Sequence, residues 1–316
     1  MADPERERAR AAAGTIMLAA FVVVLAWLGV RTGHLALDAT PAAAQAPTVS
    51  TPRSVPVPTT RTATASPTMS LVPPGPELAA AFDAEATRLG GEYALAWVDA
   101  DGLHVLGSPP GDIAWSTVKV PLAIAAAARN PSDDTWRDIG AAVTRSDNAA
   151  ALALWTALGS PEDAAAAVDR VLAAYGSPEV RTESTEVRPP FSSFGQTVWS
   201  VDSQARFASR LACVPNSSAV GRVRAEMARV VPDQRLGIGG LEGAHVKGGW
   251  GPEPSGAYVL RQLGDAEVDG ERYALALSVR SSGGGYAQAT EDASALVQWW
   301  ARTAAPEAPG LTCGRP

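Results

Sequence analysis

The pattern of apolar and polar residues divides the chain into three unlike parts. Residues 11–30 carry no charged side chain and are long enough to cross the hydrocarbon core of a bilayer as one helix. Residues 31–76 follow, and from residue 39 onward they are rich in Pro, Thr, Ser and Ala with almost no large apolar groups. Such a segment cannot bury a core, so we expect an extended extracellular linker. Residues 77–316 remain, a length that suits one domain with a large core.

Helices are indicated at several places in this last part. Ala-rich runs at 123–128 and 164–167 predict helices, because alanine has the highest helix propensity. A further helix is predicted from Asp202 to Leu211, with Ser200 or Asp202 as its cap.

The flanks of the apolar stretch predict its orientation. Arg6, Arg8 and Arg10 favour a cytoplasmic tail at residues 1–10, although neighbouring acidic residues dilute the local charge. The domain would then lie outside the cell, as part of a single-pass protein of the cell membrane. A cleavable signal peptide is the alternative, with a small-residue site at Ala42–Ala44. Because that site lies far beyond the apolar run, an uncleaved anchor is favoured.

Charge and cysteine content narrow the possible partners. A net charge of −7 without any cluster of Lys and Arg argues against a nucleic-acid partner. Cys213 and Cys313 both fall in the external part, so we expect a disulfide between the C-terminal tail and the end of a helix; two unrelated thiols are the alternative. Two cysteines and three histidines form no metal-ligand pattern, so neither a metal nor a cofactor is expected.

Three short motifs carry most of the chemical information. The first has the form S-x-x-K, the second is S-D-N, and the third is a K-[T/S]-G motif with one position changed. In chain order they are Ser116-Thr117-Val118-Lys119, Ser146-Asp147-Asn148 and Lys247-Gly248-Gly249. Each alone is explained as well by a helix start, a helix cap or a hairpin turn. Together and in this order they indicate a site for acyl transfer to serine.

Ser116 is the candidate nucleophile and Lys119 its base. A serine hydroxyl is a poor nucleophile at neutral pH and needs a base within hydrogen-bond reach. Positions i and i+3 share one face of a helix, and the apolar run after Lys119 can bury it and lower its pKa. We expect the backbone N–H of Ser116 to stabilise an oxyanion, with a second donor from a strand edge near the third motif.

The other two motifs supply proton transfer and substrate contacts. We expect Ser146 to carry a proton towards the leaving nitrogen, and Lys247 to face a substrate carboxylate and polarise Ser146. Asn148 and Gly249 are candidate substrate-binding residues, Asn148 through an amide of the substrate. Asp147 is expected to point away and to hold the turn through side-chain-to-backbone hydrogen bonds.

With these motifs the chain resembles the class A β-lactamase and penicillin-binding serine hydrolase superfamily, specifically its smaller membrane-anchored actinobacterial members. The resemblance implies an α+β fold of the β-lactamase/transpeptidase type, in which an antiparallel sheet is flanked by helices beside a reduced all-helical lobe. It assigns a hairpin, two later strands and a C-terminal helix. These are Gly91–Asp99 with Gly102–Leu106, Tyr258–Leu260 with Tyr273–Val279, and Ala287–Thr303.

The third motif departs from the family pattern. Gly248 stands where Thr or Ser normally binds the substrate carboxylate, and Trp250 follows where it can narrow the cleft. Arg280, after a predicted strand, is a candidate replacement for the missing hydroxyl as a ligand of that carboxylate. His245 and Gln196 lie near the predicted site, but a structural role is the favoured interpretation for both.

The deacylating glutamate of β-lactamases lies in an E-x-x-L-N motif, which this chain lacks. Glu183 and Glu186 fall in the corresponding stretch without the Leu-Asn pair. We therefore expect an acyl-enzyme that persists. The short interval between Lys119 and Ser146 likewise implies a trimmed helical lobe.

The function favoured by the sequence is a membrane-anchored extracellular serine hydrolase that acts through an acyl-enzyme on β-lactams or peptidoglycan stem peptides. The main alternative is a catalytically impaired relative that binds cell-wall peptide or a protein partner. An anchored structural wall protein is a third possibility, but it leaves the three motifs unexplained.

Overall fold

The computed structural model describes residues 69–108, 112–253, 257–282 and 285–313. The predicted transmembrane segment at 11–30 and the linker up to residue 68 lie outside the described residues. No helix among the described residues has the length and apolar character needed to cross a membrane.

A five-stranded antiparallel sheet lies at the centre of the domain, in the order β2-β1-β5-β4-β3. The predicted hairpin and the two predicted later strands are confirmed. The strands are β1 (Glu92–Val98), β2 (Leu103–Gly107), β3 (Glu242–Pro252), β4 (Tyr258–Val268) and β5 (Glu271–Arg280). Because helices cover both faces, β1 is buried along nearly its whole length instead of alternating.

Eight α-helices are present in the described part of the chain, and the predicted helices are among them. They are α1 (Pro76–Leu89), α2 (Lys119–Arg129), α3 (Asp133–Thr144), α4 (Asn148–Ala157), α5 (Pro161–Ala174), α6 (Val201–Ala212), α7 (Ala219–Met227) and α8 (Tyr286–Thr303). Ser200 is the cap residue of α6. Helices α1 and α8 cover one face of the sheet, and α2 to α7 form a helical group on the other.

The two faces of the sheet differ in side-chain size. On the face towards the helical group, Ala96 of β1 pairs with Ala276 of β5, and both are fully buried. These small residues leave room for the large rings of α6 and the segment before it, where Phe207 packs edge-on against Trp199. On the opposite face, Trp300 of α8 packs against bulky side chains of the strands. The small-residue face therefore brings α6 close to the sheet, beside the nucleophile turn.

Two contacts secure the ends of the domain. Leu103 of β2 exchanges backbone hydrogen bonds with Ser70 and Val72, so the last residues of the predicted linker already pack on the sheet. Cys213, directly after α6, forms the predicted disulfide with Cys313 of the C-terminal tail. The pairing thus ties the tail to a helix end, as expected.

Candidate active site

The candidate nucleophile lies in a tight turn that leads into α2. Trp115 to Val118 form one turn of 3₁₀ helix, and α2 begins at Lys119, so Ser116 sits at the start of a continuous helical segment. Trp115 has φ of +51°, a conformation that L side chains rarely adopt. Such backbone strain persists only where the surroundings hold it, and it is concentrated at functional sites.

Helix α6 and a loop hold this turn in place. The Thr117 hydroxyl donates to the carbonyl of Ala114 and accepts a hydrogen bond of 2.9 Å from the side-chain amide of Gln204 on α6. The Trp115 indole meets the ring of Phe191 edge-on, with 5.1 Å between centroids. The position of Ser116 is therefore fixed by packing from two sides.

Ser146 lies in the second turn of the site, and only Asp147 stands between it and the start of α4. Its φ of +57° is again a rarely adopted conformation. Asp147 caps α4 by accepting a hydrogen bond from the backbone N–H of Ala150 over 2.9 Å, which is the supporting role predicted for it. The cap directs Asn148 towards Lys119, whose Nζ donates to the Asn148 Oδ1 over 2.7 Å.

Two lysines converge on the hydroxyl of Ser146. Lys247 Nζ donates to Ser146 Oγ over 2.9 Å, and Lys119 Nζ lies 3.4 Å from the same oxygen. Lys119 Nζ also donates to the backbone carbonyl of Ser146 over 2.6 Å, and Lys247 Nζ to the carbonyl of Gly248 over 2.7 Å. The structure thus brings members of all three motifs together in one hydrogen-bonded group.

Burial changes the acid–base properties of both lysines. Loss of hydration lowers the pKa of Lys119 to about 8, a shift that the Asp147 carboxylate partly opposes. Lys247 has no exposed surface, and burial together with the charge on Lys119 holds its pKa well below the ordinary value. An amine of this kind can accept a proton near neutral pH, as general-base catalysis requires.

The glycines of β3 explain how closely the strand approaches the nucleophile. A Cβ on Gly249 would lie 2.6 Å from the backbone nitrogen of Ser116, and one on Gly251 would overlap the Trp115 ring. Gly249 thus permits close approach of the β3 backbone to the Ser116 N–H. A Cβ on Gly248 would instead lie 3.7 Å from the Trp250 ring and 3.9 Å from the carbonyl oxygen of Arg261, both ordinary contact distances.

A cleft of about 680 Å³ opens beside these groups. Ser116, Lys119, Ser146 and Asn148 line it, as the motifs predicted. Sequence reasoning identified Trp250 but missed the rest of its aromatic wall, because these rings come from separate turns, loops, strands and helix α4 without a shared periodicity. The wall comprises Trp115, Trp155, Phe191, Phe194, Trp250 and Tyr258.

The loop before α6 contributes several polar side chains to the cleft, among them Glu186 and Gln196. Glu186 lines it, in the stretch where the family places its glutamate, and so does Gln196. Gln196 is 5% exposed, and its Nε2 makes no hydrogen bond within the described part of the chain. The structure therefore places Gln196 at the site as well as in the loop packing that the sequence favoured.

Arg188 was not singled out by the sequence, although it links the loop to β3. Its guanidinium lies over the rings of Trp115 and Phe191, 5.5 Å and 5.0 Å from their centroids. It also donates a hydrogen bond to the carbonyl of Pro252 at the end of β3. The only feature of the sequence that could have pointed to Arg188 is the Arg-Pro-Pro-Phe segment at 188–191.

Arg280 is not brought to the cleft, contrary to the expectation for it. Its guanidinium forms ion pairs with Glu92 and with Glu253, the latter at 2.8 Å. These two carboxylates neutralise the charge that a substrate carboxylate would need. His245 lies 3.2 Å from Asp265, consistent with the structural role expected of it. No cluster of three or more possible metal-ligating side chains occurs among the residues described.

Solved structures resemble the described domain, whereas no protein-family model and no curated protein sequence matches the chain. A β-lactamase from Streptosporangium roseum superposes with a TM-score of 0.53 at 16% identity, covering 72% of this chain and 98% of that one. The TLA-3 extended-spectrum β-lactamase gives 0.57 at 13% identity, with 72% and 98% covered. A β-lactamase from Burkholderia vietnamiensis gives 0.52 at 20% identity, with 71% and 96% covered.

These similarities establish the fold. The described domain has the fold of these β-lactamases, as the resemblance predicted. At 12–20% identity they do not carry an activity from those proteins to this chain.

Proposed function

We propose that the protein is a serine hydrolase that forms an acyl-enzyme at Ser116, with β-lactams and peptidoglycan stem peptides as the candidate substrate classes. The observation that carries the proposal is the Ser146 hydroxyl held between Lys119 and Lys247, beside the nucleophile turn. A binding module has no need of two buried lysines on one serine, because burying them disfavours their charged forms.

The residues gathered at the site suit the steps of acyl transfer to serine. Lys119 accepts the proton of Ser116 as its oxygen attacks the carbonyl carbon, and the oxyanion is stabilised by the Ser116 N–H and the β3 backbone near Gly249. The proton passes through Ser146 to the leaving group as its bond to carbon breaks. Water then cleaves the Ser116 ester and returns the proton to the enzyme.

The second half of the cycle is expected to be slow. The chain lacks the motif that fixes a glutamate on the deacylating water, although Glu186 lines the cleft. Without a held water, the acyl-enzyme accumulates before it is hydrolysed.

Covalent labelling tests the proposal directly. The domain from residue 69 onward is incubated with a reporter penicillin and, separately, with a fluorophosphonate, and its intact mass is measured. We expect at least the fluorophosphonate to add to Ser116, and Ser116→Ala to remove the adduct while the melting temperature is retained. Equal labelling of the Ser116→Ala variant would overturn the assignment of the nucleophile.

One observation favours the alternative of an impaired, peptide-binding relative. Lys119 Nζ is directed at Ser146 and Asn148, and no hydrogen bond joins it to the Ser116 hydroxyl within the described residues. Absence of any adduct with all serine reagents, combined with retained binding of a stem peptide, would favour this function.

We also propose that residues 11–30 anchor the protein in the cell membrane, with the domain outside. The support is the uncharged 20-residue stretch and the arginines before it. Cell fractionation tests it: the full chain should sediment with membranes, and a chain starting at residue 39 should not. Release of the full chain by high salt alone would contradict a membrane-spanning anchor.

A further inference from the structure

We propose that the cleft selects an electrically neutral acyl donor, an ester or amide without a carboxylate beside the scissile bond. The inference rests on the proposed acyl-enzyme at Ser116, and it narrows the candidate substrates of that site to compounds that lack a free carboxylate beside the scissile bond, which excludes penicillins and free D-Ala-D-Ala termini. It follows from the hydrogen-bond and ion-pair partners that the lysines and arginines around the cleft already have, and from the lack of a side chain at Gly248.

Lys247 is the first cation that a substrate carboxylate would require, and it is not accessible. It has no exposed surface, and its Nζ hydrogen bonds are directed at Ser146 Oγ and at the carbonyl of Gly248. Burial and the neighbouring Lys119 further disfavour its charged form. Lys247 therefore serves Ser146 and presents no positive surface to the cleft.

The arginines near the site are likewise engaged. Arg280 is paired with Glu92 and Glu253. Arg188 lies over two aromatic rings and donates to the carbonyl of Pro252. Arg261 has no exposed surface and donates to the carbonyl of Trp199 over 2.8 Å. Each would have to leave an existing partner to meet a carboxylate.

The third motif presents an aromatic surface where a hydroxyl is otherwise expected. Gly248 offers no side chain, and the Trp250 ring lies next to the space that its Cβ would occupy. Trp250 packs on Tyr286 of α8 with ring centroids 5.0 Å apart, and Tyr286 in turn meets Tyr258 at 6.1 Å. Trp250 and Tyr258 line the cleft, so its β3 side presents aromatic rings.

The charges that line the cleft also disfavour an anion. Lys119 is the one lysine or arginine among the described lining residues, and Glu186 is the one acidic residue. Lys119 already donates to Ser146 and Asn148. A carboxylate among these rings would lose hydration without gaining a cationic partner, which is costly.

The cleft offers hydrogen-bond donors that suit neutral polar groups of a substrate. Asn148 uses its Oδ1 to accept from Lys119, which leaves its NH₂ for a ligand. The Gln196 Nε2 lacks a hydrogen-bond partner among the described residues and belongs to a side chain that lines the cleft. Two amide donors suit a carbonyl oxygen in the acyl half of a neutral substrate.

The reaction balances without a further reagent. Ser116 Oγ bonds to the acyl carbon, the alcohol or amine departs with the proton taken from Ser116, and water releases the acid. Two substrates that share the same acyl half form the same acyl-enzyme. A charge on the leaving half therefore affects acylation only.

The test compares two esters that differ in one group. O-phenylacetyl glycolate carries a carboxylate on the leaving half, and O-phenylacetyl glycolamide carries the isosteric neutral amide. Release of phenylacetate gives kcat/KM for each, divided by its uncatalysed hydrolysis rate to remove the difference in leaving-group reactivity. We expect the neutral ester to be favoured by about tenfold or more, because the site gives a buried carboxylate no cationic partner.

Two variants at position 248 test the structural cause. Gly248→Thr restores a hydroxyl in space that accepts a Cβ, and should raise the relative rate of the carboxylate ester about threefold or more. Gly248→Ala adds only the methyl group and should keep the wild-type preference.

The outcomes separate the inference from the proposed function. Ser116 labelling by the fluorophosphonate with a preference for the carboxylate ester would overturn the inference and leave the acyl-enzyme intact. No labelling and no turnover of either ester would overturn the proposed function, and the inference with it. A neutral preference that Gly248→Thr weakens and Gly248→Ala keeps supports both.

Discussion

Lys247 on an edge strand and Ser146 before helix α4 share a hydrogen bond of 2.9 Å, although 101 positions separate them in the chain. Lys119 approaches the same hydroxyl from α2 at 3.4 Å. Ser146 therefore connects the two halves of the site, and most of the expected properties of the protein depend on this serine and its two lysines.

Replacing Ser146 by Ala should slow acylation of Ser116. The change removes the hydroxyl through which a proton reaches the leaving group, and general acid–base steps contribute about 100- to 10,000-fold to rate. The burst phase of ester cleavage, followed by stopped flow, gives the acylation rate, with the melting temperature as a control for folding. An acylation rate within a factor of about two of the wild type would exclude Ser146 from proton transfer.

Acylation should accelerate with rising pH, with an inflexion near pH 8. The pKa of Lys119 is lowered to about 8, and only the neutral amine can accept the Ser116 proton. The rate of fluorophosphonate labelling, followed from about pH 6 to about pH 10 so that the inflexion is bracketed, measures this dependence. A flat profile would show that Lys119 is not the base.

The same shift makes folding stability depend on pH. In the pH range from about 8, the pKa of Lys119 in the folded protein, to 10.5, its ordinary pKa, Lys119 is mostly neutral in the folded protein and mostly protonated in the unfolded chain. Because the unfolded state binds more protons in that window, this lysine makes the free energy of unfolding rise with pH. Urea denaturation of the wild type and of Lys119→Met at about pH 8 and about pH 10 should show a smaller pH dependence in the variant, and equal pH dependence would contradict the shift.

Replacing Gly249 by alanine should impair the site, whereas replacing the neighbouring Gly248 should not. Gly249→Ala places a Cβ 2.6 Å from the Ser116 nitrogen and should abolish most labelling, with a loss of about 1–3 kcal/mol in stability. Gly248→Ala has room for its methyl group and serves as the matched control. Similar labelling rates for the two variants would show that β3 does not approach the nucleophile as described.

Removal of the disulfide should destabilise the domain without altering the site. Cys213 and Cys313 close a loop with a sequence separation of 100, for which the chain-entropy model gives about 4–5 kcal/mol. Thermal denaturation of the double Ser variant measures the loss, and Ser116 labelling at low temperature should be retained. An unchanged melting temperature would indicate that the pairing adds no stability.

The sequence predicted the parts of the site that follow from local spacing. Ser116 and Lys119 share a helical segment, and the cap by Asp147 depends only on residues that follow it. Arg280 could not be placed in this way, because its partners Glu253 and Glu92 lie 27 and 188 positions away. Apart from Trp250, the aromatic wall was missed for a similar reason: the Trp115–Phe191 contact joins the 3₁₀ turn to a loop far along the chain, and the two share no pattern.

The strand order has a consequence for how the molecule is made. Glu92 at the start of β1 pairs with Arg280 at the end of β5, 188 positions later, so the first strand synthesised stays without its central neighbour until almost the whole domain has emerged. Non-local pairing of this kind slows folding, and the unpaired hairpin is exposed to association in the meantime. The first hairpin of the domain therefore keeps an unpaired edge until β5 has been synthesised.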